Sequence, residues 1–168
     1  MNSSNVVLIG MPGAGKSTVG VLLAKRLGLD FIDSDLVIQS RAGKRLQEII
    51  AVEGMASFRG LEEGVLVELG GRRRTVIATG GSAVYSGPAM AALERGGRIV
   101  FIDVPLAELA VRIGDMDRRG LVIDPGETLA DLYARRLPLY RRYAQYSLDA
   151  DGLSAEAAAA GIAALLAG

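Results

Sequence analysis

Residues 10–18 read Gly-Met-Pro-Gly-Ala-Gly-Lys-Ser-Thr. The spacing of Gly10, Gly15, Lys16 and Ser17 is that of a loop whose backbone N–H groups, here at Gly13, Ala14 and Gly15, cradle a polyphosphate. Lys16 can reach β- and γ-phosphates, and Ser17 can ligate Mg²⁺. The helix that opens at Lys16, Ser17 and Thr18 adds the positive end of its dipole. A second constellation follows at Phe31-Ile32-Asp33-Ser34-Asp35. Residues i and i+2 of an extended chain project to the same side, so Asp33 and Asp35 could face one cleft. One carboxylate would act through water on the metal and the other would orient and deprotonate a hydroxyl, the division of labour that phosphoryl transfer requires. The plainer role for this stretch is local, with Ser34 or Asp35 as N-cap of a helix beginning at Leu36.

For these groups to meet, the loop and the acidic pair must sit at the same end of one sheet. Apolar runs at Val6–Gly10, Phe31–Asp33, Thr75–Thr79, Arg98–Asp103 and Tyr146–Asp149 alternate with helical patterns. The helical stretches are Lys16–Leu27, Leu36–Arg41, Leu46–Gly70, Ser86–Glu94, Pro105–Ile113, Leu129–Tyr143 and Ala155–Leu166. The alternation predicts an α/β fold, a parallel sheet covered on both faces, with ligands at the carboxyl ends of its strands. Gly80 and Gly81 follow the third strand, where glycine permits close backbone approach to a small ligand. The polar stretch 114–128, with Asp115, Asp117, Arg118, Arg119 and Gly120, has little apolar periodicity and predicts a mobile lid.

The chain has 168 residues, so one domain is expected. It contains neither cysteine nor histidine. Disulfides, thiolate metal sites and imidazole catalysis are thereby excluded, and acid–base work falls to Asp, Glu, Lys, Arg or Tyr. Nineteen basic residues balance nineteen acidic ones, which argues against general nucleic-acid binding. No apolar run is long enough for a membrane span and no secretory signal is legible at the start. A cytoplasmic monomer acting on a small molecule is expected.

The motifs together resemble those of the shikimate kinases, a family of P-loop kinases related to the nucleoside monophosphate kinases. The resemblance covers the phosphate loop, the Asp33-Ser34-Asp35 strand end, Phe58-Arg59-Gly60-Leu61-Glu62, the glycine turn Thr79-Gly80-Gly81-Ser82-Ala83-Val84 and Arg136-Leu137-Pro138-Leu139-Tyr140, all in register. It implies a three-layer α-β-α fold with a five-stranded parallel sheet. It also implies transfer of the γ-phosphoryl group of MgATP to the 3-hydroxyl of shikimate. Arg59 and Arg136 would then hold the shikimate carboxylate, with Glu62 steadying Arg59 across one helical turn. The Gly80-Gly81 backbone would approach the ring and Asp35 would serve as general base. Ser17 and Asp33 would lie at the metal, since the third strand end carries no Asp. Arg119 resembles the family's lid arginine and would reach the transferring phosphoryl group. Arg112 matches a position that stacks on adenine.

Two departures bear on the acceptor. Ser82 stands where the family's turn has a third glycine, and Gly120 where its lid has proline. Ser82 is expected to narrow the acceptor pocket and Gly120 to loosen the lid. A kinase for another hydroxy acid such as gluconate, and a nucleotide-binding protein that has lost turnover, are the alternatives these departures leave open.

Overall fold

The structure is a computed structural model that describes residues 4–114 and 121–168. Five strands form one parallel sheet in the order β2-β3-β1-β4-β5. β1 (Asn5–Ile9) is central and is buried along its whole length, as is β3 (Thr75–Ala78) beside it. β4 (Gly97–Asp103) flanks β1 on the other side. β2 (Asp30–Asp33) and β5 (Tyr146–Asp149) are the partly exposed edges. Continuous burial explains the unbroken apolar runs of the inner strands, since both faces of a parallel sheet are covered.

The helices are α1 (Lys16–Leu27), α2 (Ser34–Ala42), α3 (Leu46–Glu53), α4 (Met55–Gly70), α5 (Gly87–Gly96), α6 (Leu106–Gly114), α7 (Leu129–Tyr143) and α8 (Ala155–Ala167). α1 and α8 pack on each other in one helical layer, and α4 and α5 pack on each other in another. Two of these elements differ from the sequence expectation. The single helix expected over Leu46–Gly70 breaks at Gly54, whose φ of 88° and ψ of 165° end α3 and start α4. The helix expected from Leu36 begins at Ser34, because the capping residue is Asp33 rather than Ser34 or Asp35.

Strand register brings the chemistry to one end of the sheet. Asp33, the last residue of β2, pairs with Ala78 of β3, which pairs in turn with Leu8 of β1. Asp33 is therefore level with the end of β1, two residues before the glycine loop opens at Gly10. The connection from β1 runs to β2 on one side and that from β3 runs to β4 on the other, and a crevice opens at the carboxyl ends where such connections diverge. The expected lid arginine, Arg119, and the centre of the 114–128 segment lie outside the described residues.

Candidate active site

The loop between β1 and α1 curls through Gly13 and Gly15, which take φ values of 81° and 88°. This left-handed region is costly for any residue with a Cβ. The curl leaves Lys16 8% exposed. Its Nζ donates to the carbonyls of Gly10 at 2.7 Å and Met11 at 2.8 Å. Burial lowers the Lys16 ammonium to about 8; Arg136 acts in the same direction, and Asp35 and Asp33 oppose it. To reach a phosphate, the ammonium must exchange these carbonyls for phosphate oxygens.

Asp33 uses its two oxygens differently. Oδ1 accepts from the backbone N–H of Asp35 at 2.9 Å and of Leu36 at 3.3 Å, capping α2. Oδ2 accepts from the Ser17 hydroxyl at 2.5 Å. The cap fixes the junction of β2 and α2, and Asp35, the second residue of α2, lines the cleft just beyond it. Asp35 Oδ1 is buried without a hydrogen-bond partner among the described residues. Burial, with Asp33 adding and Lys16 opposing, raises this carboxyl to about 6. A buried polar atom left without a partner in the protein is costly, and here it faces a cleft.

That cleft has a volume of about 360 Å³. It brings together twelve residues singled out from the sequence: Gly13, Gly15, Lys16, Ser17, Thr18, Asp33, Asp35, Glu62, Gly80, Gly81, Ser82 and Arg136. Apolar walls from Leu46, Phe58, Ile113, Leu121 and Val122 complete it. Pockets of this size with a few convergent polar groups suit small ligands. Ala14 lies beneath the loop, its N–H donating to the Met11 carbonyl at 3.1 Å.

The glycine turn after β3 is shaped by its neighbours. A Cβ on Gly80 would stand 2.7 Å from Asp35 Oδ1 and 3.1 Å from Glu62 Oε2, and one on Gly81 would stand 2.6 Å from Arg136 Nη1. Distances under 3.0 Å force something to move. The glycines thus make room for the side chains of the site, and both also line the cleft, where the sequence suggested close approach to a ligand. The turn is pinned from both sides: Gly80 N–H donates to Ser34 Oγ at 3.3 Å, and the Tyr140 hydroxyl donates to the Gly81 carbonyl at 2.7 Å. Tyr140 is itself fixed by stacking on Phe101, with ring centroids 5.2 Å apart.

Arg136, on α7, is 2% exposed. It donates through Nη2 to the Val122 carbonyl at 3.1 Å and through Nε to the Tyr85 hydroxyl at 3.1 Å. Arg59 is exposed and does not line the cleft; its guanidinium lies 5.2 Å from the centre of the Tyr85 ring. The expected Arg59–Glu62 pair is not formed. Glu62, 3% exposed, instead accepts from the Ser82 hydroxyl at 2.7 Å on Oε1 and 3.0 Å on Oε2. Burial raises Glu62 to about 7; the Ser82 hydrogen bond opposes this, Asp35 adds to it, and Arg136 and Arg59 oppose it. Ser82 lines the cleft, as does Glu62, and its hydroxyl is held by that neighbouring carboxylate. Its backbone, at φ −87° and ψ −3°, is one any residue adopts, so the serine fits the turn without strain.

Arg112 also lies off the cleft lining. It pairs with Glu108 at 2.6 Å and donates to the carbonyls of Gly13 and Ala14, each at 3.3 Å. The sequence reading did not assign Tyr85, the Ser82–Glu62 contact or the apolar walls. The i+3 spacing of Arg59 and Glu62 pointed to a different contact, and nothing local marks Tyr85.

A five-stranded parallel sheet with a glycine loop feeding α1, an acidic pair and a buried arginine on one cleft defines a P-loop phosphotransferase. A sequence model of the family described as shikimate kinase matches residues 12–167. The shikimate kinase of Thermobifida fusca is 40% identical over 154 residues, covering 91% of this chain and 89% of that protein. The shikimate kinase of Pseudomonas aeruginosa is 42% identical over 149 residues, covering 88% and 87%. Among solved structures, a shikimate kinase from Acinetobacter baumannii in complex with shikimate superposes with a TM-score of 0.90 at 36% identity, covering 98% of this chain and 93% of that one. The chain belongs to the shikimate kinase family.

Proposed function

We propose that the protein transfers the γ-phosphoryl group of MgATP to the 3-hydroxyl of shikimate. The observation that supports this reading best is the single cleft in which Lys16, the orphaned Asp35 oxygen and Arg136 converge. The loop amides from Gly13 to Thr18, together with Lys16, would hold the phosphates, with Arg112 on the adenine side. The Asp33 carboxylate and the Ser17 hydroxyl form an all-oxygen pair at 2.5 Å, a donor set suited to a hard cation that keeps most of its ligands as water and phosphate. When bound there, Mg²⁺ would neutralise charge on the phosphate oxygens.

On the acceptor side, Arg136, Arg59 and the Gly80-Gly81 backbone would hold shikimate, its carboxylate against the guanidiniums. Asp35 would accept a hydrogen bond from the 3-hydroxyl. The hydroxyl oxygen attacks the γ-phosphorus, the bond to the β-bridging oxygen breaks, ADP leaves with that electron pair, and the hydroxyl proton passes to Asp35. A carboxyl raised to about 6 is a better base near neutral pH than one at its ordinary value of 3.8. Lys16, and Arg119 from the 114–128 lid, would stabilise charge on the transferring group.

Residues 1–168 would act as one kinase domain and as a cytoplasmic monomer of 17.6 kDa. Among the described residues the three most exposed large apolar side chains, Leu36, Val52 and Val111, lie on three separate helices, which suits a monomer. A coupled ADP-release assay tests the function. Release should require shikimate. Asp35→Asn should lower turnover by about two to four orders of magnitude, the usual contribution of a general base, while ATP affinity stays within a few-fold. Release of ADP that is indifferent to shikimate, or full turnover in the asparagine variant, would overturn the assignment.

A further inference from the structure

We propose that Tyr85 is a positioning residue for the carboxylate of the acceptor, a platform that holds Arg59 and Arg136 as a preformed pair. The inference rests on the acceptor reading above and deepens it. Tyr85 ends the short 3-10 turn Ala83–Tyr85, immediately beyond the glycine turn. Its hydroxyl accepts from Arg136 Nε at 3.1 Å and from Arg135 Nε at 2.9 Å. The guanidiniums of Arg59, Arg135 and Arg136 lie 5.2, 5.4 and 5.2 Å from the centre of its ring. A ring face attracts a cation, so one phenol can gather charges that would otherwise repel.

The three cations are not equivalent. Arg135 is neutralised locally, pairing with Glu127 at 2.9 Å and with Asp124 at 3.5 Å. Arg136 has a carbonyl and a phenol oxygen but no carboxylate among the described residues. Arg59 forms no ion pair among the described residues, because Glu62, the carboxylate one turn along its own helix, is held by Ser82. Two guanidiniums without a matching carboxylate are thus fixed to one side chain beside the cleft. The Nε–Tyr85 bond sets the rotation of the Arg136 fork, and Nη1 of that fork lies against Gly81 in the cleft lining. A site held in place before the ligand arrives binds it more tightly, since less is lost in ordering. Ser82 and Tyr85 act together in this arrangement: the serine occupies Glu62, and the tyrosine receives the arginine thereby left without a carboxylate.

Steady-state kinetics of the full chain with MgATP test the proposal, using shikimate and its carboxamide as acceptors beside Tyr85→Phe and Tyr85→Leu. The phenylalanine variant keeps the ring and loses the oxygen that orients Arg136. It should raise the KM for shikimate several-fold. The leucine variant loses both contacts and should raise it about tenfold or more, as expected when hydrogen bonds to a charged group are lost. Turnover at saturation and the KM for ATP should stay within about twofold, the pattern of lost acceptor binding. The preference of the parent for acid over carboxamide should shrink in both variants. An unchanged KM for shikimate in Tyr85→Leu, or an equal rise for acid and carboxamide, would overturn the proposal while leaving the kinase reading intact. Absence of shikimate turnover in the parent chain would instead overturn the acceptor reading and this inference with it.

Discussion

At the scale of single residues, Glu62 shows how much one hydroxyl can decide. It is a buried carboxylate with a serine as its hydrogen-bond donor and no ion-pair partner among the described residues. Both Glu62 oxygens lie within hydrogen-bond distance of Ser82 Oγ, so Ser82→Ala would leave a buried acceptor uncompensated. The cost of such a loss is about 1–3 kcal/mol. In a domain of this size that corresponds to several degrees in melting temperature. The loss should depend on pH. The Ser82 hydrogen bond favours the ionised carboxylate, and Glu62 stands raised to about 7. Near pH 8 the ionised form dominates and the serine is needed; near pH 5 the folded protein carries Glu62 protonated and the contact matters less. Thermal melts of parent and Ser82→Ala at both pH values should therefore differ more at pH 8. Equal losses at the two values would show that Ser82 contributes through packing alone.

At the scale of elements, the turn after β3 is the piece most tightly constrained by its surroundings. Gly80 is in contact with Asp35 and Glu62, and a methyl group there would collide with Asp35 Oδ1 at 2.7 Å. Gly80→Ala should therefore displace Asp35, the proposed base, while leaving the β1–α1 loop untouched. Turnover should drop by roughly 10- to 100-fold, the scale of a small misplacement of a catalytic group, with ATP affinity measured by nucleotide titration little changed. Activity near that of the parent would show that the turn can shift without cost. Much of this organisation was legible from the chain. The inner strands announced themselves as unbroken apolar runs, and α1 and α7 were delimited by their periodicity. The loop and the acidic pair could be placed at one end of the sheet because strand order and loop type fix that placement. Three things were not legible. Gly54 sits within a pattern that stays helical on both sides, so only its backbone angles reveal the break. Asp33, Ser34 and Asp35 are all competent caps, and the β2 geometry chooses among them. The partner of Glu62 was misread because helical spacing favours Arg59, whereas the tertiary fold brings a serine from twenty residues away.

At the scale of the whole molecule, the cleft gathers groups whose ionised forms are expensive to bury, and the fold bears that cost at neutral pH. Asp35 is raised from 3.8 to about 6 and Glu62 from 4.5 to about 7. Lys16 is lowered from 10.5 to about 8. For the two acids the folded protein binds protons more tightly than the unfolded chain, so unfolding free energy falls as pH rises between the paired values. Their contribution is fully present below about pH 4 and is lost as pH passes 6 to 7. The lysine has the opposite slope: its ammonium costs stability below about pH 8, and that cost is relieved toward pH 10.5. The three effects together place the site's largest cost near pH 7–8, where a kinase with a carboxylate base and an ammonium at the phosphates has both groups in working form. Asparagine at position 35 keeps the shape of the neutral acid and cannot ionise. The net position of Asp35 already includes the attraction of Lys16, so the variant should gain about 3 kcal/mol at pH 8. That gain should shrink steadily as pH falls toward 4. Urea unfolding of parent and Asp35→Asn at pH 4, 6 and 8 measures it directly. A variant that is inactive yet more stable at pH 8 would show that the fold sacrifices stability to keep this carboxylate ionised. A variant less stable than the parent at pH 8 would mean that Asp35 acts as a structural partner of Lys16, and the base role would have to pass to another group.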